Sequence, residues 1–322
     1  MNGHQHTSVQ DASIQQAHAL SHTGYYYNHP ATEQAARCLL EISGIEGGQV
    51  VFLSSGSEAI ELGRQIARQV TGKVCSMTLA VSYLGSYSSV REREQGWYLF
   101  DWLSETAAIS DPCFQKRLDA IPHTISEFTL EPGSSSGLVR FPPVSLIRKI
   151  TETIRSQDGL ILANEVTTGL GRTGSWFGYD QYEIIPDMIA LGKGLGNGYP
   201  VSALIVGKTV LNRLHRSRSP FRYTQSHQND PQGAAIANSV LTVLQEKALI
   251  DRAASIGPAF LEQMKDLVDG SLVIDVRGRG CMFAIEFSSN DIAGILFEQL
   301  LEKGFIICNR GTVFRIDPPL II

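Results

Sequence analysis

No stretch of this chain approaches the roughly 20 consecutive apolar residues that a membrane span needs. Its first residues, MNGHQHTSVQDASIQQ, are polar and contain no apolar signal region. A membrane partner is therefore not expected. Basic residues are not in surplus either. There are 27 Lys+Arg against 32 Asp+Glu, a formal charge of −5, which argues against a nucleic-acid partner. Any anionic ligand must then be held by local features. Cysteine is sparse: Cys38, Cys75, Cys113, Cys281 and Cys308 are widely spaced and form no C-x-x-C pair. That argues against a disulfide framework or a zinc site and points to reduced thiols in a cytoplasmic protein. Internal repeats and low-complexity blocks are also lacking.

What is present is material for a core, with 43% hydrophobic and 18% charged residues over 322 positions. Residues 1–23, polar and rich in His, Gln and Ser, read as a frayed segment or an arm on a partner surface; His4 and His6 could touch a metal, but a solvated tail is the reading adopted and no metal site is assigned. From Thr32, a candidate N-cap, TEQAARCLLEIS has helical periodicity. QVVFL, ISEFTL, GLILA, DMIAL and VSALIV read as short strands, and EAIELGRQIARQV and VSLIRKITETIRS as helices between them. Short apolar strands alternating with helices predict an α/β fold with a mainly parallel sheet. Beyond about residue 230 come two helical patterns, PQGAAIANSVLTVLQE and DRAASIGPAFLEQMKDLV. Strands SLVIDVRG and CMFAIEF, a helix DIAGILFEQLLEKG and two short strands follow. These predict a small α+β domain. The expected division is 1–45 as an N-terminal segment, 46–248 as a large domain and 249–322 as a small C-terminal domain.

Several segments carry chemistry. In GLILANEVTTGLGRTG a buried strand ends at Asn164-Glu165, and after a Gly-rich loop and a second strand comes Lys193 between glycines. A lysine at an apolar strand end is costly while charged, so its pKa should fall. A neutral amine there can form an imine with an aldehyde. Gly192, Gly194, Gly196 and Gly198 permit close backbone approach and positive φ. A surface lysine in a mobile loop is the alternative reading of Lys193 alone. FLSSGSEAIELGRQIAR places a Ser/Gly turn (Ser55, Gly56, Ser57) at a helix start, where free N–H groups and the helix dipole attract anions. An ordinary N-cap is the alternative.

Together these segments resemble the class III aminotransferases, the family of the ornithine, acetylornithine and 4-aminobutyrate enzymes. NEVTTGLGRTG followed by LGKGLGNGYPVSA carries the likeness, with 29 positions from Asn164 to Lys193. The resemblance runs from about Tyr25 to Ile322. It implies the PLP-dependent transferase fold of type I, with a seven-stranded, mainly parallel sheet, and pyridoxal 5'-phosphate (PLP) held by Lys193 as a Schiff base. It implies that Ser55, Gly56 and Ser57 cradle the phosphate, that Tyr83 in SYLGSY stacks on the ring, and that Glu131 of TLEPGSSSG orients groups near the cofactor. Asn164 and Val166 fall at further cofactor-contacting positions. Ser226 of YTQSHQNDPQGAA aligns with a residue that reaches the phosphate of a neighbouring subunit, which implies a homodimer with shared active sites. Arg315 of VFRIDPPLII aligns with the arginine that binds a substrate carboxylate as a bidentate fork; a surface ion pair with Asp317 is the alternative. The reaction implied is transfer of an amino group from an amino acid or amine to a 2-oxo acid.

The chain departs from the family pattern at specific places. The family has aspartate at the Asn164 position, where it keeps a proton on the pyridine nitrogen; asparagine supplies no charge. Glu165, next along the strand, points to the opposite face. The histidine of the family's Y-H-G is Leu84. The second glutamate after E-P is replaced by Ser134, Ser135 and Ser136, so Arg315 is expected to be always available. Only 48 positions separate Tyr83 from Glu131, fewer than is typical, and both ends are shorter. Asn164 opens two alternatives to transamination: a racemase or epimerase working at Cα, and a PLP-binding protein of weak activity with a scaffold or regulatory role.

Overall fold

The structure, a computed structural model, describes residues 2–93, 95–103, 112–134, 136, 138–217 and 219–322, with only the backbone of 112 and 113. The helices are α1 (Thr7–His18), α2 (Pro30–Ser43), α3 (Gly56–Thr71), α4 (Ser88–Arg91), α5 (Pro112–Asp119), α6 (Val144–Ser156), α7 (Lys208–His215), α8 (Pro231–Glu246), α9 (Leu249–Lys265) and α10 (Asn290–Glu302). Strands β1 (Gln49–Leu53), β2 (Cys75–Leu79), β3 (Trp97–Phe100), β4 (Ile125–Leu130), β5 (Leu160–Asn164), β6 (Met188–Leu191) and β7 (Ser202–Val206) form a seven-stranded sheet in the order β1-β7-β6-β5-β4-β2-β3. Only β7 runs against the others: it is antiparallel to both β1 and β6, while the remaining pairs are parallel.

Strand periodicity sorts the core into two layers. Met188 and Ala190 of β6 point with Leu160, Leu162 and Leu204 towards Ile60, Ile66 and Ala67 of α3. Ile189 and Leu191 point with Ile161, Ala163 and Ile205 to the opposite layer, which α6 closes with Ile147, Ile150 and Ile154. Each of these α6 isoleucines is fully buried, a contribution of about 1.5–3 kcal/mol apiece. Cover on both faces explains why β4 and β5 read as continuous apolar runs rather than alternating ones.

A second sheet, ordered β10-β11-β9-β8, is built from β8 (Val273–Arg279), β9 (Met282–Phe287), β10 (Cys308–Arg310) and β11 (Val313–Ile316), all antiparallel. Met264 of α9 packs with Val276 and Phe283 on one face. Ala293 of α10 packs with Phe287 and Phe314.

Three expectations are corrected. The N-terminal residues are not a frayed arm: α1 packs against α8, Val9 is buried, and Asn2 is completely enclosed. Helix α2 starts earlier than Thr32, with His29 as N-cap accepting from the Ala31 N–H and Pro30 at the first helical position, where a missing N–H costs nothing. Of the four glycines around Lys193, only Gly198 adopts a positive φ (113°).

Candidate active site

The carboxyl ends of β1, β2, β4, β5 and β6 lie on one edge of the large sheet, the edge where open α/β sheets bind ligands. Each end delivers one piece of the site. β1 runs into Ser54, Ser55 and the first turn of α3, and β2 leads to Tyr83. β4 is followed by Glu131, β5 ends on Asn164, and β6 is followed by Gly192 and Lys193. A cavity of about 140 Å³ at this edge is lined by Gly56, Ser57, Tyr83, Asn164, Val166 and Lys193, among others.

The first turn of α3 forms one end of this cavity. Ser55 is its N-cap: its hydroxyl accepts from the Glu58 N–H (3.3 Å), while Glu58 accepts from the N–H groups of Ser54 and Ser55. The N-cap foreseen as the alternative is thus present as a capping box. The Ser55 side chain is committed to the helix, and the Gly56 and Ser57 amides, which no intrahelical carbonyl can satisfy, remain at the turn. Glycine is required at 56, since a Cβ there would lie 2.6 Å from Val166 Cγ1. Gly85, at φ 119°, brings its loop onto Ser57, whose hydroxyl accepts from the Ser86 N–H (3.1 Å).

Tyr83, Glu131 and Asn164 form one hydrogen-bonded unit. The Tyr83 N–H donates to Glu131 Oε2 (2.9 Å) and the Tyr83 carbonyl accepts from Asn164 Nδ2 (2.9 Å). Asn164 Oδ1 accepts from the Val166 N–H (3.3 Å). The amide at 164 thus has a fixed orientation, with its nitrogen towards Tyr83. An aspartate could not donate to that carbonyl. Glu165 lies on the far side, as strand alternation predicts. It accepts from Thr168 Oγ1 and from the Gly178 and Tyr179 N–H groups, and burial pushes its carboxyl up to about 7.

Lys193 stands between two cavities. Its backbone is left-handed (φ 35°), a conformation that costs a non-glycine residue on the order of 1–3 kcal/mol. Its Nζ donates to Thr167 Oγ1 (2.5 Å). The residue is exposed by area, but it lines both cavities, and their walls crowd the ammonium. Desolvation first, and the positive charge of Arg315 second, lower its pKa below the ordinary lysine value.

The second cavity, about 450 Å³, shares Val166, Thr167 and Lys193 with the first and is closed by Gly3, His4, Arg172, Arg315 and Asp317. Arg315 comes from β11 of the small sheet and is ion-paired with Asp317, so it both faces the cavity and makes the pair foreseen as its alternative. Arg172 is buried and donates to the carbonyls of Cys281 (2.8 Å) and Pro318 (2.5 Å), fastening the Gly-rich loop to the small sheet. Gly3 and His4 are held over the cavity by Asn197, which accepts from the Asn2 N–H (2.9 Å) and donates to the Gly3 carbonyl (3.1 Å).

The structure thus gathers Gly56, Ser57, Tyr83, Asn164, Val166 and Lys193 around one cavity, with Ser55 and Glu131 directly behind it. Arg315 sits across the second cavity. Ser226 is exposed on a turn and lines neither cavity. Ser134 Oγ accepts from the Arg140 N–H and Ser136 Oγ donates to the Val81 carbonyl; Ser135 lies outside the described residues. Sequence reasoning missed Thr167, Asn197, Gly3 and His4. Thr167 was within reach, three positions past a strand-end residue already singled out; the others carry no local signal.

The family model described as "Aminotransferase class-III" matches residues 94–322. An acetylornithine aminotransferase of Methanothermobacter thermautotrophicus is 30% identical over 99% of this chain and 82% of its own length. An ornithine aminotransferase of Staphylococcus aureus is 29% identical over the same shares. Among solved structures, the ornithine aminotransferase of Toxoplasma gondii, with partial PLP occupancy, superposes with a TM-score of 0.85 at 27% identity, over 99% of this chain and 79% of that one. A PLP-bound amine transaminase from an uncultivated Pseudomonas species gives 0.89 at 23% identity, over 99% and 84%, a likeness of fold. On the family match and the two-sheet architecture together, the chain belongs to the class III aminotransferases, enzymes whose cofactor is pyridoxal 5'-phosphate.

Proposed function

We propose that this enzyme moves an amino group from an amino acid or amine donor to a 2-oxo acid, with Lys193 as covalent cofactor ligand and proton carrier. The observation that carries this reading is the position of Lys193 Nζ, between a cavity with an anion-binding helix start and a cavity with an arginine. The residues fit PLP. Gly56 and Gly85 let the walls close onto Val166 and Ser57, an approach that a Cβ would block, the α3 amides suit a phosphate, and Tyr83 and Val166 offer flat and apolar walls to a ring.

Lys193 would hold the cofactor covalently, through an amine whose charged form burial and Arg315 disfavour. When bound, the pyridine ring of PLP acts as an electron sink for charge developing at the substrate Cα. Lys193 Nζ, at the junction of the two cavities, would carry the proton at the substrate Cα, as base and then as acid. Asn164 would present a neutral amide to the ring and supply no charge there. Arg315 would exchange its Asp317 partner for the substrate carboxylate, and His4 lines the same cavity.

Ser226 is the residue that each subunit lends to its partner's phosphate site, which makes the working enzyme a homodimer; its place is the cytoplasm. In this reading residues 46–248 hold the cofactor, 249–322 bring the arginine, and 1–45 cover the substrate cavity.

The test is a PLP titration followed by donor addition. Wild type develops the absorbance of a lysine-bound cofactor, loses it with a donor and regains it with a 2-oxo acid. Lys193→Ala shows no such band and loses about 10²–10⁴-fold in rate. Turnover by Lys193→Ala at the wild-type rate would sink the assignment. Exchange of the Cα hydrogen with solvent without oxo-acid formation would indicate a racemase instead.

A further inference from the structure

The described residues contain one cluster of three metal-capable side chains, and it lies outside both cavities of the active site. His22 follows α1, His227 sits on the turn before α8, and Asp230 is the N-cap of α8. One ligand atom from each lies within 4.8 Å of the others. His22 Nδ1 is 3.0 Å and His227 Nδ1 3.8 Å from the same carboxylate oxygen, Asp230 Oδ1. The two imidazole rings converge, with centroids 5.1 Å apart.

We propose that His22, His227 and Asp230 bind a single borderline divalent cation such as Zn²⁺, which fastens the N-terminal segment to the start of α8. Two neutral imidazoles and one carboxylate are a donor set suited to zinc and its neighbours rather than to calcium or magnesium, which prefer oxygen. At tetrahedral bond lengths of about 2.0–2.1 Å, ligand atoms stand about 3.4 Å apart. The observed 3.0 and 3.8 Å bracket that spacing, and all three ligand atoms lie within 4.8 Å of one another. Water completes the coordination.

The site is built on a stiff base. Asn229, at φ 57°, donates its N–H to the Phe52 carbonyl (2.9 Å) and accepts from the Phe52 N–H through Oδ1 (2.9 Å), which docks the turn on β1. Thr32 Oγ1 donates to the Asn229 carbonyl. Asp230 divides its oxygens: Oδ2 accepts from the Gly233 N–H as the helix cap, and Oδ1 faces the imidazoles. The carboxylate therefore stands between the cation and the positive end of the α8 dipole. The His22–Asp230 contact is what the site holds without metal; a cation bound at Nδ1 would take the place of that hydrogen bond, with the imidazole proton carried on Nε2.

The consequence is regulation of cover. The segment that His22 ends also carries α1 and, at its other end, Gly3 and His4 over the substrate cavity. A metal at His22 pins the far end of that cover.

The experiment uses PLP-loaded enzyme stripped of metal with a chelator and titrated with ZnCl₂ by calorimetry, with Co²⁺ absorption to identify the donors. One equivalent per chain should bind, with a Co²⁺ spectrum lacking thiolate charge transfer. His22→Ala and His227→Ala should each weaken binding about tenfold or more, while His6→Ala leaves it unchanged. Zn²⁺ should also slow proteolysis between residues 19 and 29 in wild type but not in His22→Ala. Binding unaffected by His22→Ala and His227→Ala, or a thiolate band with Co²⁺, overturns the proposal. The histidine variants leave the α8 cap intact, so a failure of Asp230→Asn to fold does not blunt the test.

Discussion

The two sides of Lys193 are built in different ways. On the side proposed for the cofactor, the walls are strand ends, the loops just after them and the start of α3, and the residues interlock: Asn164 holds Tyr83, Tyr83 is held by Glu131, and Ser57 is capped by the loop at Gly85. On the substrate side, the walls come from the beginning of the chain, from the Gly-rich loop, and from β11 and the segment after it. The first side is rigid because a buried parallel sheet fixes it. The second is an assembly of distant segments joined by a few charged and polar contacts, so it is the side on which specificity can change without disturbing the chemistry.

The sharpest way to break this comparison is Asn164→Asp, on the rigid side. The substitution removes a donor from the Tyr83 carbonyl and sets a carboxylate against it. PLP-free protein should lose about 1–3 kcal/mol of stability, read as a lower thermal midpoint. With PLP bound, the new charge at the ring nitrogen should raise the half-transamination rate about tenfold, the equivalent of about 1.4 kcal/mol. A rate that falls instead would mean that the neutral amide is tuned to this enzyme's own reaction.

Arg315→Ala tests the substrate side. Loss of a charge-assisted pair of about 1.5–3 kcal/mol should raise KM for carboxylate-bearing donors about 10–100-fold and leave simple amines nearly unaffected. The same variant joins the two sides. Capture of PLP needs neutral Lys193, so its rate rises with pH, with a midpoint below the ordinary lysine range because burial and Arg315 both disfavour the charged amine. Removing Arg315 should move that midpoint upward, by less than the desolvation contribution that remains. A smaller effect is expected for His4→Ala, a change of several-fold in KM with kcat preserved, since His4 lines the cavity but touches none of the groups assigned to the proton transfer. Equal effects on kcat and KM would place His4 in the chemistry instead.

What could be read from the sequence follows the same divide. The strands β1, β4, β5, β6 and β7 were visible as short apolar runs, and α3, α6 and α8 as periodic helices, because parallel burial and amphipathic faces write themselves into local pattern. Strands β2 and β3 were missed; β2, CSMTL, alternates small polar with apolar residues, and WYLF is four residues at the sheet edge. N-terminal residues that look like a solvated tail proved to be α1 on α8, because the apolar contribution of α1 to the interior is a single buried side chain, Val9.

The sequence by itself pointed to Lys193, the Ser/Gly turn at the start of α3 and the strand-end neighbours, since each depends on residues a few positions apart and on a lysine that only a strand-end setting makes useful. Tertiary structure alone decided the rest. It set Arg315 beside Asp317 across from Lys193, laid Gly3 and His4 over the cavity through Asn197, turned Asn164 towards Tyr83, and brought His22 to Asp230 across 208 positions. Such contacts depend on where two sheets and a helix pair come to rest. No local period encodes that placement, because it is the packing of whole faces, rather than any one residue's preference, that fixes it.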